Sequence, residues 1–262
     1  IVSILTGIAL REGKIKSLDQ PVADFIPEFK EGEKTKITIR HLMMMSSGLD
    51  WNEGYASLTS QVTEAYYGTQ LYKQVTSLGV AEAPGKFWEY KSCDTELLAI
   101  IVNKATGKSL AEYASEKLWK PLGAEHNAQW SLDQKDGIEK AYCCFYSNAR
   151  DFARFGKLVL QHGRWNNEQI IDSAFIALCT TPNNLPDKED NKPAQHYGYQ
   201  WWLSNISNHP VYYMRGILGQ YVIVIPDMQM IIVRLGHKRS NNPDGKPNDY
   251  KFYAEQVIKM YE

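Results

Sequence analysis

The stretch over residues 221–235, YVIVI-PDMQ-MIIVRL, constrains the fold more than any other part of this chain. Two β-branched runs separated by a short turn at Pro226 and Asp227 predict an antiparallel hairpin. Apolar residues fill neighbouring positions in both runs instead of alternating with polar ones, so both faces of the hairpin must be covered. PVYYMRG (210–216) reads as the strand before the hairpin, and YGYQWWLS (197–204) as an extra strand beside it. NDYKFYAEQVIKMY (248–261) closes the sequence as an amphipathic helix able to cover one face.

The first two thirds carry helical signals. Ile1, Ile4, Leu5 and Ile8 fall on one helical face, and Gly13 supplies a stop. Thr38 is placed to cap IRHLMMMSS, closed by Gly48. Ser92 or Asp94 is placed to cap TELLAIIVNKAT, closed by Gly107. Ser109 and Glu112 form a Ser-x-x-Glu capping box, and Asn148 starts ARDFARFGKLVLQHG, in which Phe152, Phe155, Leu158 and Val159 repeat at helical spacing. Residues 183–196 read as a polar surface loop.

At 262 residues and 44% hydrophobic, the chain is large enough to bury a core without disulfides or metal. A formal net charge of -1 with no long basic run argues against nucleic acid as a partner. No stretch reaches the length of a membrane span, and the apolar start lacks the basic region and cleavage pattern of a signal peptide. The four cysteines, Cys93, Cys143, Cys144 and Cys179, give no disulfide framework, since adjacent Cys143 and Cys144 are expected on opposite sides of a strand. The scattered histidines and the lack of a Cys-x-x-Cys spacing predict no metal site, and no cofactor is expected.

Within FWEYKSCDTELLAII (87–101), Tyr90 and Ser92 lie two apart at the start of an apolar helix. By themselves they read as a satisfied tyrosine and an N-cap serine, or as part of a catalytic constellation completed elsewhere. ITIRHLMMMSSGLDW, EYKSCDTELLAIIVNKATGKSL, YSNARDFARFGKLVLQHGRW, YGYQWW and GILGQYVIVIPDMQMIIVRLG occur in an order and approximate spacing that resemble the serine β-lactamase-like hydrolases. That superfamily includes class C β-lactamases, DD-peptidases, esterases and 6-aminohexanoate-dimer hydrolases, and the likeness is greatest to the last of these.

The resemblance implies an α+β fold of the β-lactamase/transpeptidase type: a central antiparallel sheet flanked by helices, plus a mostly helical lobe. It implies one domain over residues 1–262, with a helical lobe of about 35–205 inserted between the N-terminal helix and the C-terminal sheet and helix. It also implies a serine hydrolase that forms an acyl-enzyme on an amide, ester or β-lactam bond. Tyr90 then matches the tyrosine of the family's Tyr-x-Asn or Tyr-x-Ser element and relays a proton, while Ser92 hydrogen-bonds the base or the substrate amide. The Ile217 N–H becomes an oxyanion donor, with Gly216, Gly219 and Gln220 at the substrate. The cleft between sheet and helical lobe is where these residues are expected to meet.

Two departures stand out. The family's Lys-Thr-Gly-like element has no lysine here, only Arg215-Gly216-Ile217, and no serine in the chain is followed three residues later by lysine. The expectation is therefore a chain truncated just after its Ser-x-x-Lys motif, lacking the N-terminal strands and inactive by itself, with an associated upstream segment as a partner alongside a small-molecule or peptide-like substrate. Family habit suggests an exported or periplasmic protein. A binding module without chemistry and a cysteine hydrolase using Cys93 are the other readings.

Overall fold

The computed structural model describes residues 1–238, 240 and 248–262. They form two compact units, the first made of Ile1–Pro121, Ala128–Tyr146 and Asn183–Ala194, the second of Leu122–Asn127, Ser147–Pro182 and Gln195–Glu262.

In the first unit, α1 (Val2–Arg11), α2 (Ile39–Met43), α3 (Gln61–Tyr67) and α4 (Leu71–Thr76) precede the long helix α5 (Ser92–Thr106) and the short α6 (Leu110–Ala114). A small hairpin, β1 (Gln129–Trp130) with β2 (Phe145–Tyr146), completes it. Of the expected apolar face, Ile4, Leu5 and Ile8 are buried in α1, while Ile1 precedes the helix as its N-cap and is half-buried; α1 packs on α5, whose Leu97, Leu98, Ile101 and Val102 have no solvent exposure. Each such side chain contributes about 1.5–3 kcal/mol when taken out of water. Thr38 caps α2 as expected, in a reciprocal arrangement with the His41 side chain. The Ser109/Glu112 capping box is present at α6, and Gly107 ends α5 in the left-handed region at φ 70°. The start of α5 differs from expectation. Lys91 is the N-cap residue, Ser92 and Asp94 lie inside the first turn, and no side chain caps this helix locally.

The second unit holds α7 (Ala149–Leu160), the hairpin β3 (Arg164–Trp165) and β4 (Glu168–Gln169), α8 (Ser173–Cys179), the strands β5 (Trp202–Ile206), β6 (His209–Arg215), β7 (Gln220–Ile225) and β8 (Met230–Leu235), and α9 (Asp249–Tyr261). Strands β5 to β8 form one antiparallel meander in sequence order. Tyr213 pairs with Ile223, and Val224 with Ile231. Asn148 caps α7 by accepting from the Asp151 N–H at 3.0 Å.

The sheet has the two covered faces that its sequence requires. On one, Tyr250, Ala254 and Ile258 of α9 pack with Val211, Tyr213, Tyr221, Ile223 and Ile225. On the other lies α7, where Gly156 comes so close that a Cβ there would sit 3.0 Å from Ile231, 3.1 Å from Val222 and 3.3 Å from Val224.

Cys143 and Cys144 are joined to each other by a disulfide, contrary to the expectation that they diverge. The reason is local: Cys144 adopts φ 62°, so the pair sits in a turn ahead of β2 and not in a strand. No helix among the described residues is long and apolar enough to cross a membrane.

Candidate active site

The first unit contains Tyr90 and Ser92, at the entry to α5. Lys91 between them is extended, with φ -138° and ψ 115°, which sends it to the side opposite its neighbours. The Lys91 side chain is buried at 4% exposure and pairs with Glu89 at 2.5 Å. Lys188 joins Glu89 at 3.0 Å and Glu82 at 2.6 Å. Burial opposes ionisation of Glu89, but the hydrogen bonds from Lys91 and Lys188 outweigh it and hold the carboxyl below its ordinary range.

Ser92 is the first residue of the helix, where a backbone N–H has no intrahelical acceptor. That N–H donates to Glu53 Oε2 at 2.8 Å, and the Ser92 hydroxyl donates to Glu53 Oε1 at 2.6 Å. Trp51 Nε1 donates to Oε2 at 2.5 Å, and the Tyr55 hydroxyl donates to Oε1. A residue 39 positions upstream thus does the capping that no local side chain provides. Tyr55 is 54% exposed, with its hydroxyl on Glu53. Burial, then the neighbouring Tyr90 and Glu53, push this phenol far above its ordinary range.

Beneath Ser92 lies a set of buried acids. Asp94 accepts from the Ser47 hydroxyl at 2.5 Å, while its Oδ2 is buried with no hydrogen-bond partner. Burial raises its pKa to about 7 despite the Ser47 hydrogen bond and the charge of Lys91. Glu96, one turn of helix beyond Ser92, accepts from the Ala141 N–H at 2.8 Å, and burial raises it to about 8. Cys93 is 1% exposed, and burial followed by Asp94 pushes its thiol well up, the reverse of what a cysteine nucleophile requires.

The other expected residues belong to the second unit, in the turn from β6 to β7. Gly216 N–H donates to Gln220 O at 2.8 Å, and Gly219 N–H to Gly216 O at 3.1 Å. The Gln220 side chain accepts from Leu218 N–H at 3.2 Å and donates to Gly236 O at 2.5 Å. Ile217, at the tip, is 42% exposed. Both glycines have local reasons to be glycine: a Cβ at Gly216 would meet Gln220 Oε1 at 2.3 Å, and Gly219 has φ 82°. The Arg215 guanidinium, which stands where the family's element has its lysine, lies 3.6 Å from the centre of the Trp202 ring. Each unit therefore assembles its own group of expected residues, Tyr90 with Ser92 in one and 216–220 in the other.

Sequence reasoning missed Glu53, Trp51 and Tyr55, and the buried pair Ser47 and Asp94. DWNEGY carries an acid between aromatic residues, yet nothing in its spacing points to a serine 39 residues away. Among the described residues, no group of three or more His, Cys, Asp or Glu is arranged to hold a metal ion.

A family model described as Beta-lactamase matches residues 1–253, and the chain belongs to that family. It is similar to a 6-aminohexanoate-dimer hydrolase from Paenarthrobacter ureafaciens, 27% identical over 88% of this chain and 62% of the relative's length. Among solved structures, a protein described as a 6-aminohexanoate-dimer hydrolase from Bacillus anthracis aligns with TM-score 0.81 and 26% identity, covering 99% of this chain and 70% of that one. An octameric penicillin-binding protein homologue from Pyrococcus abyssi shares the fold, with TM-score 0.70 and 18% identity over 99% of this chain and 64% of its own. The α+β fold with its antiparallel sheet is that of β-lactamase and penicillin-binding proteins, and the family is one of hydrolases.

Proposed function

We propose that this protein is a serine hydrolase that cleaves an amide, ester or β-lactam bond through an acyl-enzyme, with Tyr90 as the proton relay. The observation that carries the reading is the position of Tyr90 and Ser92 at the entry of α5, with Ser92 fastened by two hydrogen bonds to Glu53. A serine hydroxyl is a weak nucleophile until a neighbouring group takes its proton, and Tyr90 is the residue assigned to pass that proton on to the leaving group. Ser92 meets the base or the substrate amide. The Ile217 N–H is assigned as an oxyanion donor, with Gly216, Gly219 and Gln220 shaping the segment that presents it.

The nucleophile and its lysine are proposed to come from residues outside these 262, because no Ser-x-x-Lys occurs within them. The chain spans 62% of the Paenarthrobacter relative, so activity is a property to be sought in the longer protein. A linear amide is the first substrate to assay, since relatives named 6-aminohexanoate-dimer hydrolase are similar over most of this chain. The test is a panel on the full-length gene product: 6-aminohexanoate dimer, a D-Ala-D-Ala peptide, a p-nitrophenyl ester and a chromogenic cephalosporin. Trapped acyl adducts are then mapped by peptide mass spectrometry. An adduct on a serine followed three residues later by lysine supports the reading. Ligand binding with no adduct on any serine points instead to a binding module.

A further inference from the structure

We infer that Glu53 is a positioning residue that fixes the polarity of Ser92, making its hydroxyl a hydrogen-bond acceptor toward substrate and so favouring amides over esters. The inference rests on the proposed site, and it goes further by naming what selects the bond. A carboxylate has about four lone-pair positions, two on each oxygen. At Glu53 all four have donors: Ser92 N–H and Trp51 Nε1–H on Oε2, and the Ser92 and Tyr55 hydroxyls on Oε1. Glu53 has no capacity left to accept a proton from substrate, so it acts through its neighbours.

The consequence falls on Ser92, which has a single hydroxyl proton. Hydrogen bonds to an ionised acceptor are roughly twice as strong as neutral ones, so that proton stays on Glu53 at 2.6 Å. The backbone N–H of the same residue donates to the other carboxylate oxygen at 2.8 Å, which keeps the carboxylate in place beside the hydroxyl. With its proton on Glu53, Ser92, buried at 2% exposure, keeps only lone pairs for a further partner. They are satisfied by an N–H, such as that of a scissile secondary amide, and repelled by the oxygen that replaces it in an ester. A site built to pair with an N–H discriminates against an analogue lacking it, because the buried acceptor is left unmatched.

The test uses the full-length protein and two substrates with one acyl group, a p-nitroanilide and a p-nitrophenyl ester. Glu53→Gln keeps the shape but removes the charge and half the acceptor positions; because the Oε2 side faces two fixed N–H donors, the NH2 takes the Oε1 side and turns the Ser92 hydroxyl round, freeing its proton to point at substrate. The expected result is a loss in kcat/KM of about 10- to 100-fold for the anilide and about 3-fold for the ester, with Glu53→Asp restoring part of the amide preference. A thermal melt of each variant accompanies the kinetics. Equal losses on both substrates, or no loss on either, overturn the inference, as does a wild-type enzyme that turns over the ester and not the anilide. A wild-type protein that forms no acyl-enzyme with the ester overturns the proposed function instead, so the two failures are separate.

Discussion

The Ser47 hydroxyl donates to Asp94 Oδ1 at 2.5 Å, joining two fully buried residues 47 positions apart in sequence. Asp94 belongs to the first turn of α5, two residues after Ser92, so this bond holds the helix entry against the segment that follows α2. Removing one partner of a buried hydrogen bond leaves the other unsatisfied and costs about 1–3 kcal/mol. Ser47→Ala is expected to lower unfolding free energy by that amount and to move the Asp94 carboxyl further up. Urea denaturation with carboxyl-resolved NMR measures both, and a variant as stable as wild type would show that the bond carries no net energy.

Asp94 and Glu96 give the fold a defined response to pH. Burial raises their carboxyls to about 7 and about 8 from unfolded values of 3.8 and 4.5. Between those limits the folded state holds more protons than the unfolded state, so stability falls as pH rises. The contribution is complete below about 4 and is lost as pH passes through 7 and 8. Asp94→Asn and Glu96→Gln are each expected to flatten the curve of unfolding free energy against pH, by on the order of 1–4 kcal/mol between pH 4 and 8. Curves for the variants that run parallel to wild type would contradict the assignment.

Gly156 decides how near α7 comes to the sheet. An alanine gains about 1 kcal/mol from the reduced freedom of the unfolded chain, but its methyl would press on Ile231, Val222 and Val224 at 3.0–3.3 Å. Overpacking of this kind costs about 1–3 kcal/mol. Three branched neighbours held in a paired sheet have little room to move, so Gly156→Ala is expected to lose about 1 kcal/mol net. A higher melting temperature in the variant would contradict this.

What could be read from sequence was local. The β7–β8 hairpin announced itself through two adjacent runs, and the caps at Ser109 and Asn148 act within three residues. The turn between β5 and β6 has no glycine to announce it, yet Ser207 and Asn208 take φ 50° and 67°, the left-handed pair that a two-residue hairpin loop requires. Ser92 shows the limit more sharply. A serine before a helical run suggests a cap, but its acceptor is Glu53, and only the folded chain brings that carboxylate to it. The Cys143–Cys144 bond is not legible in sequence, because a positive φ at Cys144 is not written in the residue type. The family itself was legible because five short stretches kept their order along the chain, and the match over residues 1–253 agrees.

The central claim is that Tyr90 drives acyl transfer to a serine supplied by the longer protein, and intact-protein mass spectrometry after brief exposure to p-nitrophenyl acetate tests it most directly. Three samples are compared: the full-length protein, its Tyr90→Phe variant, and the 262-residue chain alone. The account predicts one added acetyl group on the full-length protein, a rate of addition at least about 100-fold lower in Tyr90→Phe, and none on the 262-residue chain. Acetylation of a single serine or cysteine in the chain alone, or equal rates for wild type and Tyr90→Phe, would contradict it.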